Sequence, residues 1–594
     1  MGFDYWLVHV IWTIPPAILL TAAYWPFFTR TEITQIVILI NIAVCATIPW
    51  DSYLIRNRIW TYPDNAVIGI TIFEIPIEEV FFFIIQTYCT SLLYVIQRKR
   101  LVLPVYLLPR SGALARRVGS AAITGGIAVN AACLIFQGQF TYLGLILIWA
   151  LPVITLQWSF CRAFLCELPR KPILASILLP TFYLWIVDFV SLRRGTWVIE
   201  QGTKLDIRLG GFLDFEEAIF FLMSNVMVVF GMVAMDHAIA LEQYDMLMSE
   251  TSKRSWKSLG RASWSYLTAK RSQLNVGFLE GLYAAVKKLS EKSQSMYLGS
   301  AMFQDGLRVD LIFLYSFCRV LDDLVDEAPT PEKAKDSIQQ ASQLLNYRWS
   351  SKRPAAPLYD YQPIEADGID QNVSSQLLSS IALLPASRLS LSPILELLAG
   401  FEMDLGFSVD EQRFPIASEV DLEQYAQRVA GTVAVSLLKL VFHHYPDSGI
   451  PSAAQEKTIL AGERMGQALQ YINIARDIKR DAAINRVYLP SSWLEQEGLE
   501  PRDVIENPDD PRLAKLEERM INKAEKLHES SVQAIDKLPR EVRGPVKTTV
   551  ESYMMIGEMV RKRRLSSRMT EEKLKVPLWR RLSLAWREMY ANTY

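Results

Sequence analysis

The stretch Pro76-Ile77-Glu78-Glu79-Val80-Phe81-Phe82-Phe83 returns later in the chain as Asp214-Phe215-Glu216-Glu217-Ala218-Ile219-Phe220-Phe221. The return is not isolated. At a shift of 137 residues Tyr5 meets Tyr142, Trp12 meets Trp149, Pro15 meets Pro152, Asp51 meets Asp188, Arg56 meets Arg193 and Trp60 meets Trp197. One inserted residue later the two Glu pairs coincide. Chance does not easily align so many uncommon residues in order, so residues 1–97 and 138–240 are two copies of one unit. Each Glu pair opens an apolar run near the roughly 20 residues a bilayer-crossing helix needs. The uncharged stretches are 5–29, 33–50, 80–97, 118–161, 172–187 and 218–235. The fourth is interrupted near Gly138-Gln139 and supplies two spans, which makes seven. Spans one to three and five to seven are the copies. Span four joins them and lets both point the same way, a parallel repeat.

Charge separates this region from the rest of the chain. Of 594 residues, 62 are Lys or Arg and 63 Asp or Glu, a net charge of −1 that argues against a nucleic-acid binder. Residues 1–240 carry 16 basic and 15 acidic residues, against 46 and 48 in the remaining 354. The second density is that of a soluble domain and the first that of a chain with little contact with water. The six cysteines show no disulfide or zinc spacing, and five lie in the apolar part, where cysteine acts as a small hydrophobe. No secretory signal peptide is expected, because no small-residue cleavage site follows the first apolar run. Arg98, Lys99, Arg100, Arg110, Arg116 and Arg117 follow span three. The positive-inside rule places them, and with seven spans the C-terminal half, on the cytosolic side. Arg56, Arg58, Arg193 and Arg194 on the other side oppose this. The expectation is a multi-pass protein of the endoplasmic reticulum or another endomembrane.

The repeat gathers Asp51 and Asp188, where spans two and six end, with Glu78, Glu79, Glu216 and Glu217, where spans three and seven begin. Acidic residues at helix starts favour the dipole and could merely mark the interface. Duplicated pairs beside an Asp ask for more, since ionisable groups at span depth are costly. A protonated carboxylic acid among apolar groups can donate a proton, and a neighbouring carboxylate can take one back. A proton relay through a transporter fits these residues equally well.

The two Glu motifs and their Asp-centred loops resemble the small membrane-bound lycopene cyclases, over about residues 1–240. The resemblance implies protonation of a terminal double bond of an acyclic carotene, ring closure through a tertiary cation, and proton loss to a β-ring. Trp60, Trp197 and Phe82 are candidates to face that cation; as single residues they fit an interfacial aromatic belt as well. The second copy departs in having Asp214 where the first has Pro76. No Gly-x-Gly-x-x-Gly follows a strand, and Gly125-Gly126 lies within a span, so neither flavin nor NADPH is predicted.

Residues 241–274 read as a basic linker suited to anionic headgroups. From 275 to 594 the periodicity is helical, and an all-α domain is expected, with a Pro-rich insertion loop at 350–374. Two segments carry chemistry: Asp322-Asp323-Leu324-Val325-Asp326, and Asp477 with Asp481. Each has Asp at i and i+4, on one helix face. Paired carboxylates behind apolar helices need cations, and Mg²⁺ suits them because substrate phosphate oxygens and water complete its octahedron. The substrate should then be a diphosphate with an apolar tail.

These motifs resemble those of phytoene synthases in the squalene/phytoene synthase family. So do Cys318-Arg319, Arg486-Val487-Tyr488-Leu489-Pro490, Ser293, Ser295, Tyr297-Leu298-Gly299, and Tyr425 with Ala430-Gly431-Thr432. The resemblance covers about 275–590 and implies that Asp322, Asp323, Asp326, Asp477 and Asp481 hold Mg²⁺, or Mn²⁺, and diphosphate. It implies that Arg319, Arg308 and Arg486, with Asn473 and Arg476, bind substrate, and that Tyr297 and Tyr425 flank cations. Arg480 departs from the family, which has an acidic residue there. The implied reaction is head-to-head condensation of two geranylgeranyl diphosphates, through a cyclopropyl diphosphate, to phytoene without reduction.

Joined, the two halves resemble the fused cyclase/synthase enzymes of carotenoid-making fungi. Their two reactions are not consecutive, so a desaturase would act between them as a partner, beside geranylgeranyl diphosphate, lycopene and the bilayer. The alternative is a squalene-synthase-like transferase anchored by a non-catalytic or proton-transporting membrane domain.

Overall fold

The computed structural model describes all residues except Met1, Asp64, Ser111, Phe212, 249–273, 351–372, 566–575 and Tyr594. The chain divides into two compact units, one built mainly of Met1–Asp245 and the other mainly of Glu280–Tyr594. Both are helical, as expected. The greater part of the basic linker and of the Pro-rich loop lies outside the described residues. The linker also begins later than its polarity suggests, because the last span continues as helix to Met248.

Seven helices of the first unit are long and apolar enough to cross a membrane. They are α1 (Asp4–Phe27), α2 (Arg30–Arg56), α3 (Ile77–Arg98), α4 (Ala113–Phe136), α5 (Thr141–Glu167), α6 (Arg170–Arg194) and α7 (Phe215–Met248). Apart from α1, each extends past an end of the uncharged stretch that announces it, since charged residues form its first or last turn. α2 starts at a capping box: Glu32 N–H donates to Thr29 Oγ1 at 3.2 Å, and Thr29 N–H to Glu32 Oε2 at 2.9 Å. α6, marginal by its uncharged length, runs 25 residues and stops at Gly195, whose φ of 70° only glycine adopts freely.

The two copies are related by a pseudo-two-fold axis. β1 (Trp60–Thr61) pairs antiparallel with β4 (Val198–Ile199), joining Trp60 to Ile199 and Thr61 to Val198. The hairpin β2 (Thr71–Ile72)–β3 (Ile75–Pro76) precedes α3, and β5 (Arg208–Leu209)–β6 (Leu213–Asp214) precedes α7. Gln86 Nε2 donates to Ser224 Oγ at 2.8 Å, and Arg98 pairs with Asp236 at 3.2 Å. Gln86 and Ser224 occupy equivalent repeat positions, as do Arg98 and Asp236. A residue meets its own counterpart only beside the axis relating the copies. The axis therefore runs between α3 and α7, along the helices.

Asp236 is buried and also accepts from Tyr94 Oη at 2.7 Å and Gln35 Nε2 at 2.9 Å. Removing one partner of such a pair strands the other charge, at a cost of about 3–5 kcal/mol. Asp236→Ala should therefore lower the melting temperature of the detergent-solubilised protein sharply. The swap Arg98→Asp with Asp236→Arg should recover much of the loss.

In the second unit, α8 (Asp305–Asp326), α9 (Leu391–Asp404), α10 (Ser452–Ala482), α11 (Leu513–Ser531) and α12 (Arg540–Leu565) share one core of buried Leu, Ile, Val and aromatic side chains. α10 is central and packs on α11 and α12. Small residues permit close approach: a Cβ on Gly466 would meet Ala430 O at 2.6 Å. Between α8, α10 and α12 lies an apolar cavity of about 420 Å³, lined by residues such as Tyr315, Cys318, Met465, Asn473, Val550 and Tyr553.

Candidate active sites

In the membrane unit the Glu pairs divide their tasks. Successive helix residues point about 100° apart, so the members of a pair cannot face the same way. Glu78 Oε1 accepts the Ile68 N–H at 2.8 Å, and Glu216 Oε1 accepts the Leu205 N–H at 2.6 Å. These two tie down the loop before each helix. Glu79 and Glu217 meet tyrosines instead. Tyr5 and Tyr62 both donate to Glu79 Oε2, Tyr62 at 2.8 Å, while Tyr142 donates to Glu217 Oε1 at 2.7 Å. Tyr5 and Tyr142 are repeat counterparts, so this Tyr–Glu hydrogen bond is duplicated, whereas Tyr62 has Ile199 at its equivalent position.

Asp51 lies close enough to Glu79, and Asp188 to Glu217, for direct electrostatic interaction, and the two glutamates feel each other. All are buried. Asp188 Oδ1 accepts from Trp197 Nε1 at 3.1 Å, whereas Trp60 Nε1 has no partner among the described residues. Asp51 Oδ2, Asp188 Oδ2 and Glu217 Oε2 also have none among the described residues. Aromatic rings close the site: Tyr5 and Trp197 centroids lie 5.1 Å apart, Trp60 and Trp197 6.5 Å, Trp50 and Trp149 4.8 Å. Phe82 belongs to the same cluster.

The residues that sequence reasoning missed here are Tyr5, Tyr62, Tyr142 and His9. Tyr5 and Tyr142 were visible as repeat markers, which was the available signal. His9 sits in a π-helical turn of α1, His9–Thr13, an irregularity that often accompanies function. Its Nε2 lies 3.0 Å from the Glu78 carbonyl, and its ring stacks on Tyr5. The copies also differ at Asp214, which the buried Lys204 engages at 2.7 Å.

In the second unit the two aspartate segments stand one turn beyond cavity-lining residues, Asp322 after Cys318 and Asp477 after Asn473. Arg486 donates to Asp326 at 2.9 Å, which ties the segment after the second motif to the first. Burial and the neighbouring Asp326 raise the Asp322 carboxyl above its ordinary range. Burial and the charge of Asp477 push Asp481 up to about 7. Carboxylates that repel one another in this way are relieved by a cation. Among the described residues no three acidic or His/Cys side chains converge on one point. The donor set therefore fits ions that take one or two carboxylates each and complete their shell from phosphate and water.

The remaining predicted residues fall in two groups. Arg319 pairs with Asp322 at 2.7 Å and Asp323 at 2.6 Å, and Arg476 forks onto Asp477. Asn473 lines the cavity, and its Oδ1 has no partner among the described residues. Tyr425 is buried and stacked on Tyr488 at 4.9 Å, just before the π-helical turn Gln427–Gly431. By contrast, Asp323 is taken up by Lys288, Lys292 and Arg319. Arg308 is buried, with its Nε 3.4 Å from Ser300 Oγ, and Tyr297 lies on the short helix Gln294–Ser300. Asp404 escaped the sequence reading, since a lone acid at a helix end carries no motif. It accepts from Tyr488 at 2.8 Å and Tyr425 at 3.4 Å, and burial pushes it up to about 6 against the pull of Arg486.

The squalene/phytoene synthase family matches residues 289–580, and the lycopene cyclase family residues 4–96. The chain is 49% identical to the bifunctional lycopene cyclase/phytoene synthase of Arthroderma gypseum, over 99% of this chain and 100% of that one. It is 46% identical to that of Aspergillus oryzae, over 99% of each. Among solved structures, a dehydrosqualene synthase in complex with ligand aligns with 53% of this chain and 98% of its own, at 21% identity and a TM-score of 0.42.

Proposed function

The chain belongs to the family of bifunctional lycopene cyclases/phytoene synthases of carotenoid biosynthesis, and from that premise we propose how its residues divide the two reactions. The second unit condenses two geranylgeranyl diphosphates head to head. Its carrying observation is the pair of aspartate banks beside an apolar cavity of about 420 Å³. Asp322, Asp326, Asp477 and Asp481 would hold Mg²⁺, which would supply positive charge to the oxygens of a bound diphosphate. Arg319 and Arg486 add charge at the same oxygens, and Asp323 seats Arg319 rather than the metal. The apolar cavity keeps water from the allylic cation once diphosphate has left. Tyr425, fixed by Asp404 and Tyr488, presents a polarisable face beside it.

The membrane unit cyclises lycopene. The carrying observation is the duplicated Tyr–Glu pair facing one aromatic cluster. Glu79 Oε2 accepts two phenol hydroxyls, an arrangement suited to a carboxylate that takes up a proton. Among the described residues one buried oxygen of Glu217 has no partner, an arrangement suited to an acid that carries a proton. We assign Glu217 as the acid that protonates the terminal double bond and Glu79 as the base that removes the ring proton. Asp51 and Asp188 stand behind them, and Glu78 and Glu216 position the loops. Trp60, Trp197 and Phe82 stabilise the tertiary cation. Seven spans with the synthase unit cytosolic would keep both reactions at one endomembrane, where phytoene passes directly into lipid and a desaturase converts it to lycopene.

Incubation of the purified chain with geranylgeranyl diphosphate tests the first half. Phytoene should form with Mg²⁺ and without NADPH, and chelation should abolish it while cyclisation of added lycopene continues. A product that needs NADPH would replace this reading with a squalene-synthase-like one. Lycopene recovered without any ring would remove the cyclase assignment.

A further inference from the structure

The last helix, α13 (Leu578–Thr593), is inside out. Its packed face carries Leu584, Ala585 and Glu588, with Glu588 paired to Lys547 at 3.3 Å. Its outer face carries the large apolar residues Leu578, Trp579 and Leu582, which are 52%, 66% and 57% exposed, and continues through Trp586 and Tyr590, 37% and 46% exposed and stacked on each other at 5.1 Å. They recur at helical spacing as one stripe. An aqueous surface helix has the opposite pattern, and an unexplained apolar patch marks a contact. The stripe is bordered by arginines: the Arg580 guanidinium lies 5.2 Å from the Trp579 ring, and Arg587 is exposed and pairs with Glu588 at 2.8 Å. Tryptophan, tyrosine and leucine on one side with arginine at the edge is the composition of a helix lying in a bilayer interface.

Two further observations connect this helix with the cavity. Met589 packs against Gly544, on the α12 helix that lines the cavity with Val546, Val550 and Tyr553. Arg581 NH1 donates to Ser295 Oγ at 2.6 Å, beside the cavity-lining Met296. We propose that α13 is a monotopic membrane helix that seats the synthase unit in an anionic lipid surface. There it holds the wall of the isoprenoid cavity against the lipid that receives the product. The reading builds on the synthase assignment only for its benefit: the lipid contact stands or falls by itself.

The test uses the full chain in nanodiscs, with a photoreactive benzoylphenylalanine replacing Leu582 and, as a control, the exposed Tyr347. Position 582 should form lipid adducts several-fold above position 347, and phosphatidylserine in phosphatidylcholine discs should raise the yield further. Arg580→Glu with Arg587→Glu should cancel the phosphatidylserine effect. Adducts at position 582 no more frequent than at 347 would overturn the proposal, as would adducts to a second polypeptide. The variant Trp579→Ser/Leu582→Ser/Trp586→Ser should turn over normally in detergent but release phytoene into bilayers several-fold more slowly. Unchanged release in bilayers would overturn the link to the cavity.

Discussion

Asp481→Asn is expected to lower the kcat/KM of phytoene formation by roughly 10³-fold, about 4 kcal/mol of transition-state stabilisation, and to leave lycopene cyclisation by the same molecule unchanged. Asp481 is the acidic member of the second motif with the most strongly perturbed carboxyl, pushed up to about 7 by burial and by Asp477. Holding it as a charged carboxylate in that position makes sense only against a cation. Asn keeps the shape and removes the charge. Asp322→Asn should behave alike, because burial and Asp326 act on it in the same way. Asp323→Asn should cost far less, since Asp323 is occupied by Lys288, Lys292 and Arg319. Full turnover by the Asp481 or Asp322 variant would remove the metal assignment. Parallel loss of cyclisation would point to misfolding instead.

Glu217→Gln should reduce β-ring formation by about 10²–10⁴-fold, the usual contribution of a positioned proton donor, with phytoene synthesis intact. Glu79→Gln should lose the β-ring to a similar extent but in a different manner. With the acid in place, protonation still occurs. In D₂O the Glu79 variant should therefore place deuterium into carotene and release double-bond isomers of the ring or water adducts. The Glu217 variant should return unlabelled lycopene. Labelled products from the Glu217 variant, or unlabelled lycopene from the Glu79 variant, would reverse the assignment of acid and base. The tyrosines provide a second check: Tyr62→Phe removes one of two hydroxyls on Glu79, whereas among the described residues Glu217 accepts from the Tyr142 hydroxyl alone.

Much of this was legible in the sequence because both halves write their chemistry in scarce or regularly spaced symbols. In the apolar half a charge is rare, so Glu78, Glu79, Glu216 and Glu217 stood out, and their recurrence announced the duplication. In the soluble half, Asp at i and i+4 is a spacing that the helix itself converts into a shared face. What remained hidden depended on neighbours from distant segments. Nothing local distinguishes Glu79 from Glu78; the distinction comes from Tyr5 and Tyr62, brought in by α1 and by the loop before α3. Nothing local separates Asp323 from Asp322 until Lys288 and Lys292 are placed beside it. Asp404 acquires a role only from Tyr425 and Tyr488.

The sequence by itself determined the helical class, the seven long apolar helices, the parallel repeat and the two acid clusters, because periodicity and burial cost act along the chain. Only the tertiary structure decided which carboxylates face tyrosines, which face cations and which hold a loop. Those choices follow from hydrogen-bond partners many residues away. The pseudo-two-fold axis belongs to the second kind as well: the repeat implied two copies, but only the meeting of Gln86 with Ser224 and of Arg98 with Asp236 shows where they join.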